Sequence, residues 1–473
     1  MAESSKGFDV VILGGGNAGY ALAFRATALG LSVAMVERDK VGGTCLHRGC
    51  IPTKALLHAA DLMDEFRSAG DFGIQAQEPE VDWGKVLDFK GGVVGQMYKG
   101  LSGLVKKHKI ELVEGSGSLK DNKTVVVKTN DGERTLNADK AVVLATGSYP
   151  RDLPFIAADG DKVHNSNHGL EAKDIPSSVV IVGGNYIGLE FASIYRSFGA
   201  EVTVVEMLER IAPAEDADVS EALGKLLQRR GIKFHLGVEV TGATSGDDGV
   251  EVEIKKGEEG ETIKAERMFV AIGRGPRTAD MGFEEAGVKM DKEFIVVDQN
   301  FKTSADAVYA IGDAIHMPDA NWPHPQLAHV AFIEGIKLGE LLAGQDITPV
   351  DYKNIAHIIY CQPEVASVGL TEDKAKEAGI EVVTQRYPFS ANARALMLGG
   401  GQGFVKTVAE KDGAVLGVHI VGPRASDLIT EAQLATSWEA YPSELSEIIH
   451  PHPTLSEAIG ETFMHLAGRP LHG

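Results

Sequence analysis

Cysteine is scarce in this chain: its 473 residues include three cysteines, Cys45, Cys50 and Cys361. So few cysteines exclude the dense disulfide framework that stabilises small secreted proteins. A structural zinc site needs four nitrogen or sulfur ligands at short paired spacings, and no second Cys or His pair has that spacing, so we predict no metal. Cys45 and Cys50 are nevertheless close together. We interpret them as a redox pair, with a pair of inert buried thiols as the alternative.

Positive charge and long apolar runs are lacking as well. Lys and Arg number 46 against 67 Asp and Glu, and the formal net charge of −21 argues against nucleic acid or an anionic membrane as a partner. No apolar run is long enough to span a membrane. The start, "MAESSKGFDVVILGGG", has no basic region followed by an apolar core and a cleavage site. We therefore predict a cytoplasmic protein.

Glycine is abundant, and one glycine cluster directly follows the first apolar strand. In "FDVVILGGGNAGYALAFRATALGLSVAMVER", Gly14, Gly16 and Gly19 fit the G-x-G-x-x-G pattern between a strand and an Ala-rich helix. Glu37 ends the next strand, at the distance expected of an acid that binds a ribose hydroxyl. The glycines allow a tight turn and bring backbone N–H groups and a helix N-terminus to a pyrophosphate. This segment predicts a dinucleotide site.

The same pattern returns in "SSVVIVGGNYIGLEFASIYRSFGAEVTVVE". Gly183 and Gly188 take the first and third glycine places, Asn185 takes the middle one, and Glu206 is the terminal acid. Asn tolerates positive φ, so we expect the turn to form with a looser phosphate contact. Glu206 favours NAD over NADP because a carboxylate repels a 2′-phosphate. The alternative is a turn that only packs the helix on the strand.

Each fingerprint is followed by short alternating strands with Gly, Asn-Asp and Asp-Gly turns, which predict an antiparallel meander. The predicted fold class is therefore α/β, with two Rossmann-like dinucleotide-binding domains, their antiparallel β meanders and a C-terminal α+β interface domain for dimerisation. We place the first dinucleotide-binding domain, with the cysteine pair, at 1–152, and the NAD-binding domain at 153–278. A segment that returns to the first domain is placed at 279–352, and the interface domain at 353–473.

The segment around the cysteine pair, "GGTCLHRGCIPTK" (42–54), resembles the redox-active disulfide motif of the flavoprotein disulfide reductases. Two segments depart from the family pattern: "IHMPDANWPHP" (315–325) is longer than in many relatives, and "GRGPRT" (273–278) differs from the commoner "GRxPN". The resemblance runs essentially from end to end. It includes "ATGS" at 145–148, "VAIGR" at 270–274, "VYAIGDA" at 308–314, "QLAHVAFIEG" at 326–335 and "HPTLSEA" at 452–458.

This resemblance implies that Cys45 and Cys50 form a disulfide that lies against the flavin ring of a tightly bound FAD. Cys45 would be the interchange thiol that attacks the substrate sulfur, and Cys50 would face the flavin and pass electrons into it. Thiol–disulfide exchange needs a thiolate and an accessible sulfur. A helix that begins near this loop would lower the thiol pKa through its N-terminal dipole.

The resemblance also implies a base from the far end of the chain. His452, with Glu457 holding its far ring nitrogen, would act in the site of the other subunit, so we expect a homodimer. His450 is interpreted as a loop histidine. Lys54 and Glu190 match an ion pair near the reactive edge of the flavin, which would tune electron flow.

The remaining cofactor contacts are carried over from the family motifs in the same way. The predicted FAD contacts are Gly14, Gly16, Gly19, Glu37, Arg38, Gly43, Thr44, Lys54, Gly117, Thr146, Gly147, Ser148, Asp313, Leu327, Ala328 and His329. The predicted NAD contacts are Gly183, Asn185, Tyr186, Ile187, Gly188, Glu190, Glu206 and Gly273.

The reaction that the resemblance implies is the oxidation of a dihydrolipoyl group, whose two electrons would pass to the cysteine pair, then to FAD and then to NAD+. Lipoamide is neutral and apolar, and no basic cluster is evident near the cysteine motif beyond Arg48. No lipoyl domain precedes the first fingerprint, so the lipoyl group is expected on a partner protein of a 2-oxo acid dehydrogenase complex. Two alternatives stay open: an NAD(P)H-dependent reductase of small-thiol disulfides, and a non-catalytic flavoprotein component of a larger complex.

Overall fold

Strands and helices alternate through the computed structural model, which describes residues 7–75, 77, 79–318, 320, 322 and 324–472. The chain divides into two compact units. The first takes the chain up to Ala55, Asp88–Arg151 and Gly273–Tyr352, and the second takes Leu56–Leu87, Asp152–Ile272 and the chain from Lys353 onward. The domain boundaries given by the sequence stay a prediction. Residues 319, 321 and 323 of the extended segment, and residues 1–6 of the predicted first domain, lie outside the described residues.

The strands follow from runs of Val, Ile and other β-formers between Gly and Asp turns. In chain order they are β1 (Gly7–Leu13), β2 (Val33–Glu37), β3 (Glu111–Glu114), β4 (Ser116–Asp121), β5 (Thr124–Thr129), β6 (Gly132–Leu144), β7 (Ser148–Pro150), β8 (Val163–His164), β9 (Ser178–Val182), β10 (Glu201–Glu206), β11 (Lys233–Leu236), β12 (Glu239–Gly246), β13 (Gly249–Lys256), β14 (Glu259–Ala265), β15 (Arg267–Val270), β16 (Arg274–Pro276), β17 (Met290–Asp291), β18 (Phe294–Val296), β19 (Val308–Ala310), β20 (Ile315–His316), β21 (His357–Ile359), β22 (Glu364–Gly369), β23 (Val382–Pro388), β24 (Phe404–Glu410) and β25 (Val415–Gly422).

The helices carry the fingerprints, the cysteine pair and the C-terminal base. Within the described ranges, no helix is long and apolar enough to cross a membrane. In chain order they are α1 (Asn17–Ala28), α2 (Gly43–Arg48), α3 (Cys50–Ser68), α4 (Trp83–Lys107), α5 (Ser166–Glu171), α6 (Tyr186–Ser197), α7 (Ala217–Arg229), α8 (Ala328–Leu342), α9 (Glu372–Glu377), α10 (Ala393–Met397), α11 (Ala425–Ser437), α12 (Pro442–Leu445) and α13 (Glu457–Leu466).

The first unit is built on a sheet in which β3, β2, β1, β6, β5 and β4 are neighbours in that order, and β19 also pairs with β6. β1 runs parallel to β2 and β6, whereas β5 pairs antiparallel with both β4 and β6. The β1 residues Val10–Leu13 are buried, as expected of a parallel strand covered on both faces. α1 packs on α8 at Gly335, where a Cβ would lie 2.5 Å from the Ala18 carbonyl oxygen. This close approach requires glycine.

The second unit contains a parallel sheet in the order β11, β10, β9, β15 and β8, followed along the chain by the antiparallel meander β12–β13–β14. Its C-terminal part is a second sheet in the order β21, β22, β25, β24 and β23, which is antiparallel throughout. The predicted fold class is confirmed: each fingerprint begins the helix after a central parallel strand, and an antiparallel α+β segment ends the chain.

A buried ionic cluster lies in the second unit. Lys406 of β24 is 2% exposed, and its ammonium donates to Asp216 (2.9 Å), Asp218 (2.9 Å) and Glu372 (2.7 Å). Asp216 also caps α7, because its carboxylate accepts from the Asp218 N–H at 3.1 Å. Although burial opposes it, the surrounding carboxylates raise the pKa of Lys406. The lysine therefore compensates Asp216, which would otherwise be buried without a counter-charge, and also pairs with the partly exposed Asp218 and Glu372.

We expect Lys406→Met to lower the free energy of unfolding by about 3–5 kcal/mol, because it leaves the buried Asp216 carboxylate without a counter-charge. Urea unfolding monitored by fluorescence measures the change. Lys411→Met is the matched control, since its pair with Glu381 is exposed at both partners and should contribute no more than about 1 kcal/mol. Equal losses in the two variants would show that the cluster does not stabilise this unit.

Candidate active site

The first glycine fingerprint forms a tight turn between β1 and α1. Gly14 has φ +108°, and a Cβ there would lie 2.2 Å from the Ala145 carbonyl oxygen. A Cβ on Gly19 would lie 1.9 Å from the Gly14 carbonyl oxygen. Glu37 accepts the Gly15 N–H at 2.8 Å, which fixes its carboxylate at the end of β2. The first and third glycines are therefore required by the turn itself, and the acid is held where the pattern places it.

Two further observations fit a bound pyrophosphate in the first unit. A Cβ on Gly16 would meet its nearest atom, the Gly43 Cα, at 3.9 Å, so the space before the N-terminus of α1 is open. The hydroxyl oxygen of Thr146, in the "ATGS" turn, is buried and has no hydrogen-bond partner among the described residues. A phosphate oxygen would satisfy both the helix N-terminus and such a donor. The residues present fit the predicted FAD.

The second fingerprint repeats this geometry in the second unit. Gly183 has φ +112°, and a Cβ there would lie 2.3 Å from the Ala271 carbonyl oxygen. A Cβ on Gly188 would lie 1.9 Å from the Gly183 carbonyl oxygen. Glu206 accepts the Gly184 N–H at 2.7 Å. The two turns therefore have the same geometry.

The structure shows that the expectation of positive φ at Asn185 was wrong. Its backbone is extended, with φ −111° and ψ −167°, so the middle place does not require positive φ and the tolerance of Asn for it is irrelevant. Its side-chain oxygen is buried without a hydrogen-bond partner among the described residues. Next to it, the Tyr186 hydroxyl donates to Glu215 at 3.0 Å and lies 2.9 Å from His357 Nδ1. An unsatisfied amide at a helix N-terminus fits a polar ligand such as NAD.

The cysteine pair lies at the junction of two helices in the first unit: Cys45 is in α2, and Cys50 begins α3. The two are not joined by a disulfide in this structure. A hydrogen bond from Cys50 lowers the pKa of Cys45 to about 7; burial opposes the shift, and the Lys54 ammonium supports it. Near neutral pH a substantial fraction of Cys45 is thiolate, which is the form required for exchange.

Ser148 and Asp313, both predicted FAD contacts, are brought together with a residue that the sequence did not single out. The Ser148 hydroxyl donates to Asp313 Oδ2 at 2.5 Å, and Arg274 Nε donates to the Ser148 hydroxyl at 2.7 Å. Burial lowers the pKa of Arg274, while Asp313 and Cys50 oppose that shift. A sequence signal for Arg274 existed, because it follows the predicted contact Gly273 in the "GRGP" segment.

The loop that carries Asp313 is fixed by a carboxylate with no solvent exposure. The Glu334 carboxylate of α8 accepts hydrogen bonds from the Gly312 N–H and from the Tyr352 hydroxyl, and it also lies next to His324 Nε2. Each of the three distances is 2.7 Å. These bonds tie the loop to the helix that begins at the predicted contacts Leu327, Ala328 and His329. His324 comes from the extended segment, so part of that segment has a structural role.

In the second unit, His452 Nδ1 lies 2.8 Å from Glu457 Oε1, and the Thr454 N–H donates to the other carboxylate oxygen at 2.7 Å. The His452 side chain is 76% exposed. Although burial opposes it, the Thr454 N–H and His452 hold the pKa of Glu457 below its usual range. This arrangement can hold a base in one tautomer. His450 does lie in a loop, but its ring is mostly buried and bound to Glu431 at 2.6 Å, which raises its pKa.

The predicted partners Lys54 and Glu190 belong to the first and the second unit, respectively, and their pairing stays a prediction. Glu190 is 5% exposed and accepts the Tyr360 N–H at 3.1 Å. Gly273 and the remaining predicted FAD contacts belong to the first unit, and Ile187 belongs to the second. Those FAD contacts are Arg38, Gly43, Thr44, Gly117 and Gly147.

Two family models match this chain. The pyridine nucleotide-disulphide oxidoreductase model matches residues 8–335, and the dimerisation domain of that family matches residues 355–463. The chain belongs to the pyridine nucleotide-disulphide oxidoreductase family. It is therefore an oxidoreductase, and its cofactors are FAD and NAD(H). The family recognised from the cysteine motif is confirmed.

Relatives resemble the chain along nearly its whole length. The dihydrolipoyl dehydrogenase of Bacillus subtilis is 41% identical over 98% of this chain and 99% of its own. The leghemoglobin reductase of Glycine max is 38% identical over 99% of this chain and 90% of its own. The crystal structure of LpdA from Mycobacterium tuberculosis has a TM-score of 0.88 and 27% identity, covering 97% of this chain and 99% of that chain.

Proposed function

We propose that the protein is a dihydrolipoyl dehydrogenase, which oxidises dihydrolipoyl groups at the Cys45–Cys50 pair and reduces NAD+ to NADH through FAD. The observation that supports this substrate is an apolar groove in the first unit, about 360 Å³ in volume. It is lined by Tyr20, Ala21, Phe24, Arg25 and Ala28 of α1 and by Phe332 and Ile336 of α8.

The groove carries little free charge. Among the described residues that line it, Arg25 is the only charged one, and its guanidinium lies 2.6 Å from the Glu340 carboxylate. Aromatic contacts continue along the lining, since the Tyr20 ring lies 5.7 Å from both Phe24 and Phe332. A neutral dithiolane on an alkyl arm suits such a surface, whereas a charged disulfide would lose hydration without gaining an unpaired cation.

Tyr20 connects this groove to the cysteine pair. Burial raises the pKa of its hydroxyl, and the charges of Cys45 and Cys50 raise it further, so the hydroxyl lies within electrostatic range of the pair. A lipoyl arm in the groove would therefore reach the pair past Tyr20.

The chain's own residues then perform the exchange. A substrate thiol loses its proton to His452 of the other subunit, and its sulfur attacks Cys45 in the oxidised pair. The Cys45–Cys50 bond breaks, a mixed disulfide forms at Cys45, and Cys50 leaves as a thiolate. The second substrate thiol loses its proton to solvent and attacks the substrate sulfur of the mixed disulfide, which releases the dithiolane and the Cys45 thiolate. Glu457 holds the His452 ring through Nδ1, which leaves Nε2 to take the proton.

FAD, when bound, supplies the carrier that takes the electron pair from the dithiol and delivers it to NAD+ as a hydride. The turn at Gly14–Gly19, Thr146 and the Ser148–Asp313 pair would hold it, and the turn at Gly183–Gly188 with Glu206 would hold the nicotinamide nucleotide.

The quaternary arrangement follows from the same mechanism. The C-terminal segment matches the family's dimerisation domain, and an exposed His452 would complete the site of a second copy in a homodimer. The lipoyl group would be carried by a partner protein of a 2-oxo acid dehydrogenase complex. The cytoplasmic location expected from the sequence stays a prediction.

A rate comparison tests the proposal. Purified protein is supplied with dihydrolipoamide and NAD+ or NADP+, and in parallel with glutathione disulfide and NADH or NADPH. We expect dihydrolipoamide with NAD+ to give the highest kcat/KM, because the groove is apolar and Glu206 disfavours a 2′-phosphate. Dominant activity with NADPH and glutathione disulfide would instead establish the small-thiol reductase. No turnover with either pair would favour the non-catalytic component.

A further inference from the structure

The first residue of α1, Asn17, carries a buried amide that the mechanism above leaves without a role. Its side chain is 9% exposed, and its Nδ2 atom is buried with no hydrogen-bond partner among the described residues. A buried N–H group without an acceptor destabilises a fold, so such a group is retained when it binds something during function.

The backbone brings this amide to the cysteine motif. The Gly42 N–H donates to the Gly15 carbonyl oxygen at 2.8 Å, and a Cβ on Gly43 would lie 2.7 Å from the Gly16 Cα. The start of α2, which carries Cys45, therefore packs against the residues that immediately precede Asn17. Tyr20, one turn further along α1, is within electrostatic range of the cysteines, whose charges raise its pKa after burial does.

We propose that the Asn17 side-chain amide donates a hydrogen bond to the Cys45 thiolate and thereby stabilises the reactive form of the interchange thiol. A thiol sulfur is a weak acceptor, whereas a thiolate is a strong one, so the bond is completed when Cys45 loses its proton. The amide is neutral, so it favours the thiolate without attracting a charged disulfide into the groove. This inference rests on the dithiol chemistry proposed for Cys45.

The electrostatic surroundings of Cys45 agree with this role. The hydrogen bond from Cys50 contributes most to its lowered pKa, burial opposes the shift, and the Asn17 amide comes next, ahead of the Lys54 ammonium. Arg274 is a further charged group whose pKa responds to Cys50. Asn17 is thus a neutral donor that acts beside the charged groups Lys54 and Arg274.

The test is alkylation of the reduced holoenzyme by iodoacetamide as a function of pH, with peptide mass spectrometry to follow Cys45 separately from Cys50 and Cys361. The wild type should react with a midpoint near pH 7, because the pKa of Cys45 is lowered to about 7. In Asn17→Ala the midpoint should rise by about one pH unit, which lowers the rate at pH 7 about fivefold. Asn17→Asp should raise it further, because a carboxylate repels the thiolate. Asn300→Ala, at an exposed turn in the same unit, is the matched control.

FAD absorbance and the unfolding temperature of each variant show whether it still folds and holds its cofactor. An unchanged midpoint in both Asn17 variants would overturn the proposal. An unchanged midpoint with a weakened FAD affinity would also overturn it, and would assign the amide to the cofactor. Alkylation requires neither a lipoyl substrate nor NAD+, so either failure would leave the proposed function standing.

Discussion

Cys45→Ser should abolish the oxidation of dihydrolipoamide, with a fall in kcat/KM of about 10³-fold or more, because the residue is the electrophilic sulfur that the substrate attacks. Cys50→Ser should cause a comparable loss, since the variant cannot form the Cys45–Cys50 disulfide that the substrate thiolate attacks. Both variants should keep most of their NADH-driven dye reduction, which requires the two cofactors but not the cysteine pair. Steady-state assays with each electron donor measure the difference.

Cys361→Ser is the matched control for this experiment. Cys361 is fully buried, and its Sγ donates to the Pro363 carbonyl oxygen at 3.3 Å. Because burial raises its pKa, Cys361 stays a thiol near neutral pH and does not react as a thiolate. The control should retain its rate with dihydrolipoamide. If Cys45→Ser and Cys361→Ser behaved alike, the assignment of the redox pair would be wrong.

His452→Gln should slow dihydrolipoamide oxidation by about 10²–10⁴-fold, the usual range for removing a general base. The structural reason is the bond between His452 Nδ1 and Glu457, which fixes the tautomer in an exposed ring. NADH-driven dye reduction should change little, because it requires no proton transfer from a substrate thiol.

His465→Gln serves as the control for that variant, because His465 lies in α13 and, among the described residues, bonds to a carbonyl oxygen of its own helix. It should leave both activities near the wild-type level. Equal loss of both activities in His452→Gln would indicate a folding defect rather than a lost base. Activity restored by mixing His452→Gln with Cys45→Ser subunits would support a base that acts across a dimer.

The fold class was predictable because both fingerprints combine local patterns: an apolar strand, a turn that requires Gly14 or Gly183, and an acid at the end of the next strand. The contacts that hold those acids, such as the bond from the Gly15 N–H to Glu37, follow from the same short segment. The reason given for accepting Asn185 was wrong: the middle residue of this turn has an extended backbone, so it does not need to adopt positive φ.

Contacts between distant segments were not predictable from one sequence. Arg274 meets Ser148 across more than a hundred residues, and Lys406 meets Asp216 across a similar separation. The apolar groove depends on which faces of α1 and α8 are left uncovered, and the unpaired amide of Asn17 depends on the packing of α2 against α1. Such features are set by tertiary packing, to which periodicity and local motifs are insensitive.

Trapping the mixed disulfide tests most directly whether Cys45 is the residue that reacts with the substrate. Reduced Cys50→Ser protein is mixed with oxidised lipoamide, so that the Cys45 thiolate opens the dithiolane, and the products are digested and weighed. We expect one lipoamide on the peptide that contains Cys45, and no adduct on Cys50 in the reciprocal Cys45→Ser protein. An adduct on Cys50, or no adduct on either cysteine, would contradict the assignment of Cys45 as the residue that meets the substrate.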